Sequence, residues 1–458
     1  MGTVYAKERR GGPQMEEEEG TVSRTFSGNI KAKVQRIHID GLARTKDDIV
    51  IAQVQDVFKA GTFKEVIEKS GNAKLKLERL GIFTGVGVFI DTSKGEQDDP
   101  DGFDITFNVK ESRRITGSTH AQVGNNEGNL IVGVRMPNIF GRVETLATEY
   151  THGSKHTTGY NVTFTKPFSK NLDKRFIVSG FKSSAEYLPS SYRDTERGIK
   201  MEINCCIWAR KHSVRWEGVW RELACMTRTA SFDVREQCGH SLKSSVKHIF
   251  TRDTRNETIL PVKGYLVKLT QEAAGYTGGD VNFLKSEAEL QLNKSLFWDW
   301  VLSVCLQGGV MKSMKESPTL IQDRFFLGGP TSVRGFNLRG LGPYSQGDSL
   351  GGEAYCAFGI HLYTPLPFRP GRGGFGDLFR THFFINAGNL SNLNLAENNM
   401  QDHFNQLRET LRWSYGAGIV LRLGRFARFE INYCIPQTAL ATDSVNAGIQ
   451  FGVGVNFL

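Results

Sequence analysis

From Trp413 to the end, the chain alternates with a period of two that no helix can use. In the last segment Ile449, Phe451, Val453, Val455 and Phe457 share one face, and Gln450, Gly452, Gly454 and Asn456 share the other. Before it, Phe429, Ile431, Tyr433 and Ile435 alternate with Glu430, Asn432 and Cys434, and Trp413, Tyr415, Ala417, Ile419 and Leu421 alternate with Ser414, Gly416, Gly418, Val420 and Arg422. Successive side chains of a strand point to opposite faces, so each segment has one apolar and one polar or small face. A soluble sandwich alternates too. Glycine- and charge-rich polar faces, on segments near the roughly 9–11 residues that cross a bilayer, point instead to a membrane β-barrel. The 50 glycines, 30 phenylalanines and 12 tyrosines fit that reading, and no run of about 18 apolar residues exists for a membrane helix. A mean hydropathy of −0.33 argues against a helical membrane protein, whereas a barrel hides its apolar face in alternation.

One loop stands out among these strands. Arg324-Phe325-Phe326-Leu327-Gly328-Gly329-Pro330-Thr331-Ser332-Val333-Arg334-Gly335-Phe336 has the glycines and proline of a loop but more apolar side chains than a solvated loop needs. Such a loop packs against something, and in a barrel it packs against the inner wall. An isolated Val333-Arg334-Gly335-Phe336 is ordinarily a turn with a surface arginine; the strands around it give it a different reading.

The rest of the chain divides into three parts. Residues 1–30 are polar and glycine-rich, with Lys7, Arg9 and Arg10 ahead of the acidic run 16–19, and are expected to be a flexible tail. Residues 31–113 read as a small α/β module in the order β-α-α-β-β. Val34, Ile37 and Ile39 open a strand, and Thr45 with Asp48 resembles a capping box. Val50, Val54, Val57 and Phe58 then fall at helical spacing, a second helix runs from Phe63 towards Leu80, and two strands close around an acidic loop at 93–101. Residues 114–458 hold sixteen strand candidates, starting near Ile115, Leu130, Glu144, Tyr160, Arg175, Met201, Ser213, Ser241, Tyr265, Phe283, Val301, Ala354, Phe379, Trp413, Phe429 and Ile449. The longest gap, about 315–350, lies before the twelfth strand and carries the arginine loop. The expected fold is therefore a membrane β-barrel of sixteen antiparallel strands preceded by one small α/β domain.

This arrangement resembles the Omp85 superfamily, whose soluble modules are called POTRA domains, over about residues 31–458. The chain begins without a charged n-region and apolar h-region, so a eukaryotic cytosolic origin and an organelle outer membrane are expected. With a single POTRA module, the resemblance narrows to the barrel subunits of the mitochondrial sorting and assembly machinery of animal type. It implies insertion of β-barrel precursors into the mitochondrial outer membrane, with the POTRA domain in the intermembrane space. It also implies metaxin-type subunits on the cytosolic face and an association with the inner-membrane cristae-organising complex. The last strand resembles the mitochondrial β-signal, in Gln450, Gly452, Val455 and Phe457. Strand templating at a lateral seam between the first strand (115–123) and the last (449–457) is the expected mechanism, eased by Gly117, Gly124, Gly452 and Gly454.

The loop arginine is where the chain departs from its bacterial relatives. Their arginine meets carboxylates on strands twelve and thirteen, and the matching positions here are His361 and Asn386. Parity puts Glu353 on the same face as His361, so Arg334 is expected to pair with Glu353 or to make neutral hydrogen bonds with His361 and Asn386. The alternative functions are a protein-conducting pore of the same superfamily and a passive solute channel. No enzyme, cofactor or metal site is expected. Gly371-Arg372-Gly373-Gly374-Phe375-Gly376 fits a phosphate-loop pattern but opens no βαβ unit. The seven cysteines (205, 206, 225, 238, 305, 356, 434) show no metal-ligand spacing and are expected as small wall residues. A net charge of +9 without a basic block gives no nucleic-acid footprint.

Overall fold

A computed structural model describes residues 3–7, 31–93, 101–124, 127–168, 171–207, 210–315, 318–366, 375–392, 410–424, 427–455 and 457–458. The acidic run 16–19, most of the acidic loop 93–101, most of the phosphate-loop pattern and Asn456 lie outside them. The chain forms two compact units. One comprises Met1–Gly117, Val134–Ala147 and Thr163–Phe176; the other comprises Ser118–Gly133, Thr148–Val162 and Ile177–Leu458.

In the first unit, strand Lys33–Asp40 lies between Thr3–Lys7 and Gly102–Glu111, parallel to both, and Phe83–Thr92 pairs antiparallel with Gly102–Glu111. Helices Asp47–Val54 and Phe63–Arg79 bury Val50, Val54, Val66 and Leu77 with Ile37, Ile39, Ile105 and Phe107 from alternate strand positions. Residues 3–7, expected in a flexible tail, instead form a strand. Thr3-Val4-Tyr5-Ala6 suits an extended backbone, and the free edge of Lys33–Asp40 offers main-chain partners.

The capping expectation also changes. Lys46, without a side-chain cap, precedes the first helix, while Thr62 caps the second by accepting from Glu65 N. Glu65 in turn accepts from Gly61 N at 3.0 Å. Thr45 is engaged elsewhere: its hydroxyl donates to Glu111 Oε1 at 2.6 Å and accepts from Asn138 Nδ2 at 2.8 Å. Glu111 also accepts from the amides of Ala43, Arg44 and Thr45. Lys46 N donates to Gly141 O at 2.9 Å, and Val143 joins the same core, so segment 43–46 ties Glu111 to the turn 138–144.

Burial pushes the Glu111 carboxyl up, but the hydrogen bonds from Thr45, Arg44 and Ala43 outweigh it and hold it at about 2. A carboxyl depressed from its ordinary value contributes stability above that value and loses it as the pH falls towards about 2. Glu111→Gln is therefore expected to speed amide exchange at residues 43–45 roughly 10- to 100-fold at neutral pH, a charged hydrogen bond being worth ~1.5–3 kcal/mol. The gap between variant and parent should close below about pH 3. An equal gap at pH 7 and pH 2 would mean that the carboxylate charge plays no part.

Strands Thr116–Gly124 through Gly448–Gly454 form one antiparallel sheet of fifteen members among the described residues, each beside its chain neighbours. The longest, Gly264–Ser295, pairs with Gly239–Asp253 through its first half and with Val301–Ser313 through its second. Between Val301–Ser313 and Ala354–Thr364, which pair directly, the chain makes its longest described excursion. One face of the sheet exposes apolar side chains at alternate positions: Ile199, Met201 and Ile203; Phe383 and Ile385; Ile431 and Tyr433; Ile449 and Phe451. The other face carries buried polar residues such as Glu217, Arg221, Glu272, His361, Asn386 and Glu430. Apolar side chains outside and charges inside is the reverse of a soluble sheet, and the arrangement expected of a wall facing lipid.

Candidate functional site: a loop latched to the polar face

The excursion between Val301–Ser313 and Ala354–Thr364 packs on the polar face, burying Leu327, Val333, Phe336 and Leu341 in one apolar cluster with Met311, Ala357 and Leu390. Glycines in the strands make room for it. A Cβ on Gly388 would lie 2.7 Å from Val333 Cγ2 and 2.8 Å from Leu327 Cδ2. Gly335 itself has φ +86°, a left-handed turn that lets the chain double back against Ser414.

Arg334 is fully buried. Its Nη2 and Nε donate to Glu430 Oε2 at 2.8 and 3.2 Å, and its Nη1 donates to Asn386 Oδ1 at 3.0 Å and to Leu458 O at 3.3 Å. Glu430, also fully buried, meets Arg428 Nε at 2.9 Å through its other oxygen and accepts from Asn432 Nδ2 at 2.9 Å. A carboxylate between two guanidiniums, with an amide from Asn432 on one oxygen, supplies the counter-charge that a buried arginine requires.

Of the three expected partners, the structure brings Asn386 to Arg334 and not the other two. Glu353 sits at the edge of its strand and accepts from Thr319 Oγ1 at 2.8 Å. His361 shares the polar face but turns to His382, ring nitrogen to ring nitrogen at 3.0 Å, and His382 continues to Asn432. The carboxylate is Glu430, on Ala427–Pro436. The alternation already placed Glu430 on the polar face, between inward Arg428 and Asn432. Parity assigns a side chain to a face, but says nothing of which strand of that face the loop reaches.

The last strand takes part directly. Gly335 N donates to Gln450 Oε1 at 2.9 Å and Gln450 Nε2 donates to Phe336 O at 3.1 Å, so Gln450 holds the loop main chain on both sides of its turn. Gly452 faces Pro330. Val455 and Phe457 differ from the expected run of strand: pairing ends at Gly454, Val455 lies beyond it, and Phe457 is buried instead of sharing the exposed face of Phe451. The ring of Phe457 lies 3.8 Å from the Arg428 guanidinium and 5.6 Å from that of Arg334, and Leu458 N donates to Thr331 O at 3.0 Å. Two cations offer the ring more than the outer face does.

A second anchor was not read from the sequence. Asp323 takes both terminal nitrogens of Arg221 at 2.9 and 3.0 Å and Lys243 Nζ at 3.0 Å. Burial alone pushes the Asp323 carboxyl up, but Lys243 and Arg221 outweigh it and hold it well below the ordinary carboxylate range. Arg339, with a positive φ, stacks over Phe326 at 3.7 Å and Tyr187 at 4.1 Å. Among the described residues, no cluster of three or more His, Cys, Asp or Glu side chains is placed to hold a metal ion.

The domain model of the Omp85 superfamily matches residues 138–457. The chain belongs to the Omp85 superfamily. Relatives at this level include the sorting and assembly machinery component 50 homolog B of Xenopus laevis, 55% identical over 94% of this chain and 92% of that one. The human sorting and assembly machinery component 50 homolog is 53% identical over 94% and 91%. A SAM50-like protein of Schizosaccharomyces pombe is 33% identical over 87% and 82%. Among solved structures, BamA from Haemophilus ducreyi lacking POTRA domains 1–3 matches with a TM-score of 0.76 at 17% identity, covering 93% of this chain and 85% of that one, a likeness of fold. The buried loop arginine of this Omp85 chain thus meets its carboxylate on Ala427–Pro436, two strands beyond the one that carries Asn386.

Proposed function

We propose that the chain inserts and folds β-barrel precursors in the mitochondrial outer membrane by templating strands at a seam between its first and last strands. The observation that carries this reading is the state of the last strand. Gly448–Gly454 pairs with its neighbour over seven residues, while Phe457 and Leu458 are drawn to the loop and away from the sheet. A closed wall with one short, glycine-bearing strand opens there first, and an opened edge offers unpaired N–H and C=O groups to an incoming strand. An unpaired strand in hydrocarbon leaves such groups unsatisfied at several kcal/mol each, so lending an edge lowers that barrier. Relatives named as sorting and assembly machinery components support the assignment.

Sixteen strands follow when Gly264–Ser295 is counted as a hairpin. Its halves pair with different neighbours, Lys268 Nζ lies 3.9 Å from Glu289, and Gly275, Gly278 and Gly279 have positive φ. Thr116–Gly124 and Gly448–Gly454 are the two ends of the strand order, and in this reading they are the two sides of the seam of a closed barrel. Residues 31–113 are the POTRA domain, exposed to the intermembrane space, where an even strand number brings both ends of the barrel. Metaxin-type subunits on the cytosolic face and the cristae-organising complex of the inner membrane are the partners that the family resemblance adds.

The test is a reversible staple. Cysteines near Gln122 and near Gly454, oxidised to a disulfide, are expected to abolish insertion of newly made barrel proteins into isolated mitochondria, with activity returning on reduction and lumen conductance persisting. Unchanged insertion in a fully crosslinked sample would rule out the lateral seam.

A further inference from the structure

Two of the seven cysteines leave the pattern of small wall residues. Cys225 ends strand Arg210–Cys225, and Cys238 stands just before Gly239–Asp253. Their sulfur atoms are 2.8 Å apart, inside the contact distance of two non-bonded sulfurs, so the two side chains already lie within reach of a bond of about 2.05 Å. Both are partly exposed.

The segment they bracket is a clasp on the inserted loop. Its short helix Phe232–Glu236 buries Val234 against Tyr192, Leu223 and Ile321. Ser231 N donates to Asp348 Oδ2 at 2.7 Å, and Ile321 N donates to Gln237 Oε1 at 2.8 Å. Ser191 Oγ donates to the other Asp348 oxygen at 2.6 Å. Residues 321 and 348 belong to the loop that carries Arg334, so the two thiols sit at the base of a segment gripping that loop at both ends.

We propose that Cys225 and Cys238 form a reversible disulfide that closes this clasp in response to a small-molecule disulfide oxidant. Oxidised glutathione supplies the chemistry. The Cys225 thiolate attacks one sulfur of the oxidant and expels one glutathione thiolate. The Cys238 thiol then gives up its proton and attacks the Cys225 sulfur of the mixed disulfide, expelling the second. Two protein thiols are oxidised by two electrons, and one glutathione disulfide is reduced to two thiols. Burial and the neighbouring sulfur push the Cys238 thiol up to about 12, and the exchange balances equally with the roles of the two thiols reversed.

The test uses the purified full chain, incubated with oxidised or reduced glutathione, denatured and alkylated. The oxidised sample is expected to show two fewer alkylated thiols than the seven in the sequence. Reductant should restore them, and neither Cys225→Ser nor Cys238→Ser should show the paired loss. Trypsin cleavage at exposed Arg228 or Arg235 adds a second readout, since the two halves should stay joined until reductant is added. Seven alkylated thiols at every glutathione ratio, a lasting glutathione adduct on Cys225 with Cys238 still free, or halves that separate without reductant would each overturn the proposal.

Discussion

Glu430→Ala is expected to release the inserted loop and to do more damage than Arg334→Ala. Removing the arginine leaves Glu430 still paired with Arg428 at 2.9 Å and with Asn432. Removing the carboxylate strands two buried guanidiniums at once. Breaking a buried pair costs on the order of 3–5 kcal/mol, mostly through the charge left behind, and here two are left behind. The double variant Arg334→Ala/Glu430→Ala should therefore be milder than the sum of the single ones, because the two act on one contact. Limited proteolysis of residues 318–350 in the purified chain reads the loop directly, and insertion of barrel proteins in isolated mitochondria reads the activity. Glu353→Gln is the control: Glu353 holds Thr319 and not Arg334, so it should leave the 327–341 segment protected. Equal protease protection in Glu430→Ala and parent would show that the buried pair does not hold the loop.

Gly388→Leu is the second large effect, and it acts through space alone. The side chain would enter the volume held by Val333 and Leu327, on a strand whose two ladders pair Gly388 with Ala357 and Arg412. The ladders need no side chain at that position, so the sheet persists while the loop is pushed off. Overpacking a filled site costs about 1–3 kcal/mol, and the loop is the part that yields. Expected readouts are higher conductance through the lumen, a protease-sensitive loop and normal abundance of the protein. Loss of the protein from the membrane with no conductance change would mean that the wall, not the loop, gave way. Gly388→Ala should fall between the two, since its Cβ already meets Val333.

These outcomes mark where the sequence stops being readable. Strand positions are legible because alternation is local: the segments read near Met201, Phe379 and Ile449 fall on strands Tyr192–Ile207, Phe379–Ser391 and Gly448–Gly454. The loop was legible too, since glycine, proline and phenylalanine together fit neither solvent nor a strand. Glu430 was missed as the partner because the strand that the loop reaches depends on how far the strands curl and shear, which no local pattern encodes. Asp323 was missed for the same reason, its partners Arg221 and Lys243 lying on strands formed long before it in the chain. Phe457 was misplaced because a period of two continues past the point where pairing stops. Thr45 was misassigned because a cap and a tertiary hydrogen bond draw on the same hydroxyl.

The two anchors of the loop also differ in when they become available. Arg221 and Lys243 precede the loop in the chain, so Asp323 needs nothing that follows it to complete its contacts. Asn386, Glu430 and Leu458 all follow it, so Arg334 meets its carboxylate only when the next-to-last strand, Ala427–Pro436, is present. The molecule therefore carries a completeness check on its own synthesis. A chain arrested before Ala427–Pro436 holds its loop through Asp323 and leaves the buried guanidinium of Arg334 without its carboxylate.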